Sequence, residues 1–197
     1  MTAGQDAPDT EASRMTTRFH PVPYGGVRIE IDRDDATLLR SMAELLLRIV
    51  EEPDQQDGLA ALVGISESAT RPKDPVLARL FPDAYTDDPA AATDFRRYTE
   101  NDLRRHKREN ARRVVEALPA EGGQVLLDAD DVQAWLKVLT DVRLSLGTRM
   151  GLETEEDVYA LRAAASRDES LAAAAHIYEW LTHVQENLVQ AVWRQQG

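Results

Sequence analysis

The chain has 197 residues, a formal net charge of −12 at neutral pH and no cysteine. Its length fits one domain, and the lack of cysteine excludes disulfides, thiolate metal sites, cysteine nucleophiles and thiol redox switches in this chain. The sequence has no apolar run near the roughly 18 residues of a membrane span and no signal-peptide pattern, so it predicts a cytoplasmic protein with no membrane contact.

Along the first fifty residues the sequence pattern changes from polar to strand-like and then to helical. Residues 1–17 have the composition of a disordered leader, and residues 18–194 are expected to form a single helical domain. Two β-type runs, 18–22 and 27–31, flank Pro23-Tyr24-Gly25-Gly26 and predict a small hairpin. A helical apolar pattern then follows Asp32–Asp35 and continues to Glu52.

Proline and glycine divide the rest of the chain. Residues 53–74 have the composition of a long loop, and Asp-Pro pairs at 74–75 and 88–89 begin a short helix and one of roughly 30 residues. Residues 124–127 are a candidate third strand. Further helices are predicted from Asp128 to Gly147 or Gly151, near 158–165, and over 168–194. The predicted fold is mainly α, with about five helices and a small N-terminal β-hairpin.

Residues 96–113 carry the strongest charge anomaly, because their net charge is +5 and the other 179 residues sum to −17. At about 100° per residue, seven of the cations share one half of a helix, while Phe95, Leu103, Val114 and Leu118 lie mostly to one side of that arc. The segment is either a partner-binding surface for phosphates or an acidic protein, or a solvated face balanced by ion pairs. The seven cations are Arg96, Arg97, Arg104, Arg105, Lys107, Arg108 and Arg112.

The predicted last helix offers a weak metal-binding alternative. Its candidate ligands are spaced by three, four and three residues and share one face, as in helical carboxylate sites. No matching second helix is present, and the tryptophan-bearing apolar stripe lies roughly opposite, so the favoured expectation is no metal and no cofactor. The candidate ligands are His176, Glu179, His183 and Glu186.

The sequence contains neither a glycine-rich phosphate loop nor a Gly-x-Ser-x-Gly elbow, so no enzyme is predicted. Acidic clusters such as Asp128–Asp131 fit helix capping. Arg143 lies on or beside an apolar stripe and is expected to form a structural ion pair with Glu179 or Glu186. The tryptophans fit core or interface positions, and exposed apolar residues on such helices would support a homodimer.

Four segments stand out together: DPVLARLFP (74–82), FRRYT with LR (95–104), WLKVLTDVRLSLGTR (135–149) and YEWLT with QE (178–186). They resemble an actinobacterial family of unknown function that includes AosR-like proteins, actinomycete oxidative stress regulators. The resemblance implies a transcription-linked regulator that acts through a protein partner such as a sigma factor or RNA polymerase, with direct nucleic-acid binding through the basic helix as the alternative. It implies no catalytic residues, and the absence of cysteine excludes direct disulfide sensing in this chain.

Overall fold

A computed structural model describes residues 17–51, 71–85 and 87–194. Most of the predicted leader 1–17 and of the predicted loop 53–74 lies outside these residues. Within them, six helices and a three-stranded sheet confirm the mainly α prediction with a small β element, although the expected helix number was about five. The strands are β1 Arg18–Val22, β2 Gly26–Ile31 and β3 Gly123–Leu127. The helices are α1 Arg33–Ile49, α2 Pro75–Leu80, α3 Pro89–Ala117, α4 Ala129–Arg149, α5 Glu155–Ala165 and α6 Glu169–Trp193.

Side-chain caps define where the helices begin. Asp32 accepts a hydrogen bond from the backbone N–H of Asp35 at 2.8 Å, and Asp128 accepts one from Asp131 at 2.8 Å. Asp74 and Asp88 cap α2 and α3 in the same way, each directly before a proline at the first helical position. The capping interpretation of these aspartates is therefore confirmed, because each satisfies amides that the helix leaves without partners.

The small sheet is antiparallel, with strand order β1-β2-β3. The predicted hairpin is present, with Phe19 opposite Ile29, and β3 adds the predicted third strand by placing Val125 opposite the same isoleucine. Val27, Ile29 and Ile31 alternate inward and are buried, which joins one face of the sheet to the core.

Helix α4 lies at the centre of the helical layer and contacts α2, α3 and α6, while α1 packs on α3. Trp135 on α4 and Leu181 on α6 are almost fully buried, and Trp180 is buried beside them. Burying such large side chains supplies most of the favourable free energy of folding in a domain of this kind. None of the helices in the described ranges is long and apolar enough to cross a membrane.

Candidate functional site

The basic segment occupies the middle of α3, and the structure places its cations on different sides of that helix. Arg96 and Arg104 are only 5% and 6% exposed. The predicted partner-binding surface is therefore corrected: it does not include these two arginines, because their guanidinium groups face the interior of the protein. Conversely, Phe95 and Leu103, expected on the apolar side, are 47% and 40% exposed.

The buried arginines converge on one carboxylate. Glu100 Oε2 accepts from Arg96 Nη1 at 2.6 Å, and Glu100 Oε1 accepts from Arg104 Nη2 at 2.8 Å. Arg96 Nη2 also donates to Asp83 Oδ1 at 2.6 Å, and the Arg104 guanidinium lies 4.3 Å from the centre of the Phe81 ring. Glu100 was not among the predicted site residues, although its spacing of four residues from each arginine is the spacing of a helical ion pair.

Electrostatics within this cluster keep Arg96 charged. Burial alone would lower its pKa, but the hydrogen bonds and charges of Asp83 and Glu100 together raise the pKa above its ordinary value. Arg104 also extends toward the backbone oxygens of Val50 and Glu51, at 3.4 and 3.5 Å. The cluster therefore joins α3 to the C-terminal end of α1 and to the segment after α2, which is a structural role.

Lys107 is a third cation that turns inward. Its Nζ lies 2.7 Å from Asp141 Oδ1 on α4. Burial raises the pKa of Asp141, and the charge and hydrogen bond of Lys107 oppose that rise only in part. Lys107 is thus engaged between two helices, which removes it too from the predicted partner-binding surface.

The four remaining arginines of the predicted set form what we name the outer basic stripe. They occupy an arc of about 80° on the helical wheel, directly beside the arc of the buried cluster, with Arg97 about 20° from Arg104. Arg105 and Arg112 are exposed, and Arg97 and Arg108 are half-buried. Arg105 also contacts Asp102 at 2.7 Å, in a pair that is open to solvent. The stripe consists of Arg97, Arg105, Arg108 and Arg112.

Exposed aromatic side chains lie near the N-terminal end of this stripe. Tyr98 is 61% exposed and follows Arg97 directly in the chain. The rings of Tyr85 and Phe95 pack edge to face with centroids 6.0 Å apart, and both residues stay largely exposed. This end of α3 therefore presents apolar as well as cationic surface.

The four candidate metal ligands on α6 do not form a site. Glu179 Oε1 instead accepts from Arg162 Nε at 2.6 Å, and His183 Nδ1 lies 2.9 Å from the backbone oxygen of Glu179. His176 and Glu186 are exposed. In the ranges that the structure describes, no group of three or more His, Asp or Glu side chains is arranged to hold a metal ion.

Arg143 has a different partner from the two carboxylates expected for it. Its Nη1 donates to Gln185 Oε1 at 2.8 Å, and its guanidinium lies 5.5 Å from the centre of the Tyr178 ring. Glu179 is engaged by Arg162 instead. The predicted ion pair is therefore replaced by a neutral amide contact and a cation–π contact.

The tryptophans also divide between core and surface. Trp135 and Trp180 are buried, whereas Trp193 near the end of α6 is 73% exposed. Of the three tryptophans, only Trp193 is exposed enough to contact a second copy of the chain. The predicted homodimer itself stays a prediction.

The fold and these contacts define a mainly helical protein in which buried ion pairs tie α3 to α4 and to the segment after α2, next to a row of arginines along α3. Residues 15–192 match the model of a family described as Domain of unknown function (DUF2017), and the chain belongs to this family. This confirms the family indicated by the sequence resemblance.

Curated relatives come from mycobacteria. The chain is 30% identical over 195 residues to proteins of Mycobacterium tuberculosis and Mycobacterium bovis named "Oxidative stress regulator AosR", covering 89% of this chain and 84% of each relative. It is 32% identical over 178 residues to a "Putative oxidative stress regulator AosR" of Mycobacterium leprae, covering 80% of this chain and 78% of that protein. These names support a regulatory role. No solved structure matches the chain.

Proposed function

We propose that this protein is a non-enzymatic, transcription-linked stress regulator that binds an acidic protein surface through the outer basic stripe of α3. The observation that carries the proposal is the separation of charge on this helix. Arg96, Arg104 and Lys107 turn inward to carboxylates, while four arginines stay together on the neighbouring arc, which is exposed or half-buried. The ion-pair alternative accounts for the buried inner cations, whereas the outer arginines are exposed or half-buried even where, like Arg105, they contact a carboxylate.

The overall charge favours a partner protein over nucleic acid. The chain carries a net charge of −12, which repels the phosphate backbone at long range, so binding to nucleic acid would depend on a small local patch. An acidic protein segment meets the same kind of repulsion, but it carries a lower charge density than duplex DNA, so complementary charges at the stripe can select it. This effect weakens at high salt, since the charges are exposed.

Tyr98 adds apolar contact area near the cations, about 20° beyond the edge of the stripe on the helical wheel. Tyrosine and arginine are among the residues that dominate binding energy at protein interfaces, because each combines a large contact area with polar groups. A partner segment with both acidic and apolar side chains would fit this arrangement. The partner class implied by the family resemblance is a sigma factor or RNA polymerase.

A charge-reversal experiment tests the proposal. Arg97, Arg105 and Arg108 are changed together to Glu, and purified RNA polymerase or a stress sigma factor from the native organism is captured on the immobilised protein. We expect capture to fall at least tenfold, because three attractive contacts become repulsive. The matched control changes Arg28, Arg149 and Arg167 to Glu, which gives the same net charge at exposed positions outside α3.

Equal capture by both triple variants would contradict the assignment of the stripe. A gel shift with duplex DNA tests the alternative, which is direct nucleic-acid binding through α3. Direct nucleic-acid binding would replace the protein-partner proposal under two conditions. The wild-type protein would bind DNA with an affinity that decreases steeply with salt and is lost only in the α3 variant, and it would capture neither polymerase nor sigma factor.

A further inference from the structure

Two adjoining cavities lie on the side of α4 that faces α2 and α5, and together we name them the α2–α4–α5 cleft. Their volumes are about 350 and 520 Å³, within the range of small-molecule sites. Four residues line both cavities, so the two form one continuous concave surface. The shared residues are Arg79, Thr148, Leu152 and Glu153.

Arg143 lines the cleft and is held in place by neutral groups. Gln185 accepts from its Nη1 at 2.8 Å, and Gln185 Nε2 in turn donates to Thr140 Oγ1 at 3.0 Å. The Tyr178 ring lies against the guanidinium, and the Arg143 Nε is buried with no hydrogen-bond acceptor. The guanidinium is therefore oriented in advance, but its charge is not balanced by a carboxylate.

The absence of a carboxylate partner matters for Arg143 because its side chain is partly buried. Among the described residues, neither Arg79 nor Arg143 forms an ion pair, whereas Arg96 and Arg104 on α3 both do. A partly buried cation without a counter-charge is unfavourable, and a bound anion would offset that cost. Guanidinium groups match carboxylate and phosphate oxygens because their N–H donors form a planar fork.

The nearby N-terminus of α5 does not supply this site. Its Asp157 carboxylate accepts from the backbone N–H groups of Glu153 and Thr154, at 2.9 and 2.8 Å. These hydrogen bonds lower the pKa of Asp157, so a fixed negative charge already occupies the helix end. The two arginines are therefore the groups that would bind an anion, against the negative charges of Glu153 and Glu155 in the same lining.

We propose that the α2–α4–α5 cleft binds a small organic anion, with its carboxylate or phosphate group between Arg79 and Arg143 and its apolar body against Tyr178 and Leu152. The mixture of a few oriented polar groups with apolar walls is typical of small-molecule sites. The site uses no residue of the outer basic stripe, so the two proposals stand or fall separately.

Calorimetric titration of the full chain at constant ionic strength tests the site. Phenyl phosphate and benzoate serve as organic anions, and inorganic phosphate serves as the anion without an apolar body. We expect at least one organic anion to bind with a Kd below about 1 mM, and at least tenfold more tightly than inorganic phosphate. Whether phenyl phosphate or benzoate binds better identifies the preferred anionic group.

Variants locate the binding. Arg79→Gln should weaken it at least tenfold, and because Arg79 is exposed, this variant is expected to fold. Arg143→Lys keeps the charge but removes the planar fork, and it should also weaken binding. Arg28→Gln, an exposed arginine on β2, is the control and should bind like wild type. Failure of both organic anions to bind, binding no tighter than that of inorganic phosphate, or equal affinity in Arg79→Gln and Arg28→Gln would overturn the proposal.

Discussion

Lys107 Nζ lies 2.7 Å from Asp141 Oδ1, and this ion pair joins α3 to the central helix α4 with both side chains largely buried. A pair in this position sets the relative placement of the two helices that carry the outer basic stripe and the α2–α4–α5 cleft. Its contribution to stability depends on the balance between desolvation of the two charges and their attraction.

Removing the cation of this pair should destabilise the protein strongly. Lys107→Met leaves the buried Asp141 carboxylate without its counter-charge, and we expect a loss of about 3 kcal/mol in the free energy of unfolding at neutral pH. Urea denaturation followed by tryptophan fluorescence measures the loss. The double variant Lys107→Met, Asp141→Leu should recover most of it, since an apolar pair of similar size carries no desolvation penalty. A double variant as unstable as the single one would contradict this explanation.

The raised pKa of Asp141 predicts a specific pH dependence. Because burial raises this pKa above 3.8, the folded chain holds the proton more tightly than the unfolded chain. The associated stability is present below about pH 4 and is lost as pH rises through the folded-state pKa. Asp141→Asn does not titrate, so its stability relative to wild type should increase over this interval and then level off. Denaturation curves of both proteins between about pH 4 and 7 test this, and a relative decrease would refute it.

The shared carboxylate of Glu100 should matter far more than an exposed one on the same helix. Glu100→Gln leaves two buried guanidinium groups without this charge, and we expect a loss of about 3 kcal/mol in unfolding free energy. Asp102→Asn makes the same chemical change in an ion pair with Arg105, but there the carboxylate side chain is 68% exposed. That variant should lose less than about 1 kcal/mol. Similar losses in both variants would show that burial does not control these ion pairs.

Local signals made most of the fold predictable. The Asp88-Pro89 pair begins α3, and Asp128 caps α4, because these side chains satisfy helix-end amides within a few residues. The alternation of Val27, Ile29 and Ile31 likewise predicts β2, since one face of that strand is buried. Such features depend on neighbours in the chain, so the sequence is sufficient to find them.

The partition of charge on α3 depended on distant residues and was not predictable in the same way. Glu100 stands four residues from Arg96, but Asp83 also reaches that arginine from the segment before the helix. Arg143 likewise contacts Gln185 because α4 and α6 pack together. From residue type alone, these arginines are predicted to be surface cations or to pair with carboxylates. Which of them face inward depends on how the helices pack.

Two glycines with nearly the same backbone conformation provide a test of the turn before β3. Gly122 has a φ of +72° and Gly151 a φ of +70°, a region that disfavours other residues. A Cβ at Gly122 would lie 2.6 Å from the backbone nitrogen of Arg33, whereas a Cβ at Gly151 would meet nothing within 4 Å. Gly151→Ala should therefore cost only the backbone strain, about 1 kcal/mol.

Gly122→Ala adds a steric clash with the start of α1 to the same strain. We expect its loss in unfolding free energy to exceed that of Gly151→Ala by at least ~1 kcal/mol, because overpacking forces the backbone to shift. Thermal and urea unfolding of the two variants measure the difference. Equal losses would mean that the turn can move away from α1 without cost, and that the close approach of Gly122 to Arg33 does not hold β3 against the first helix.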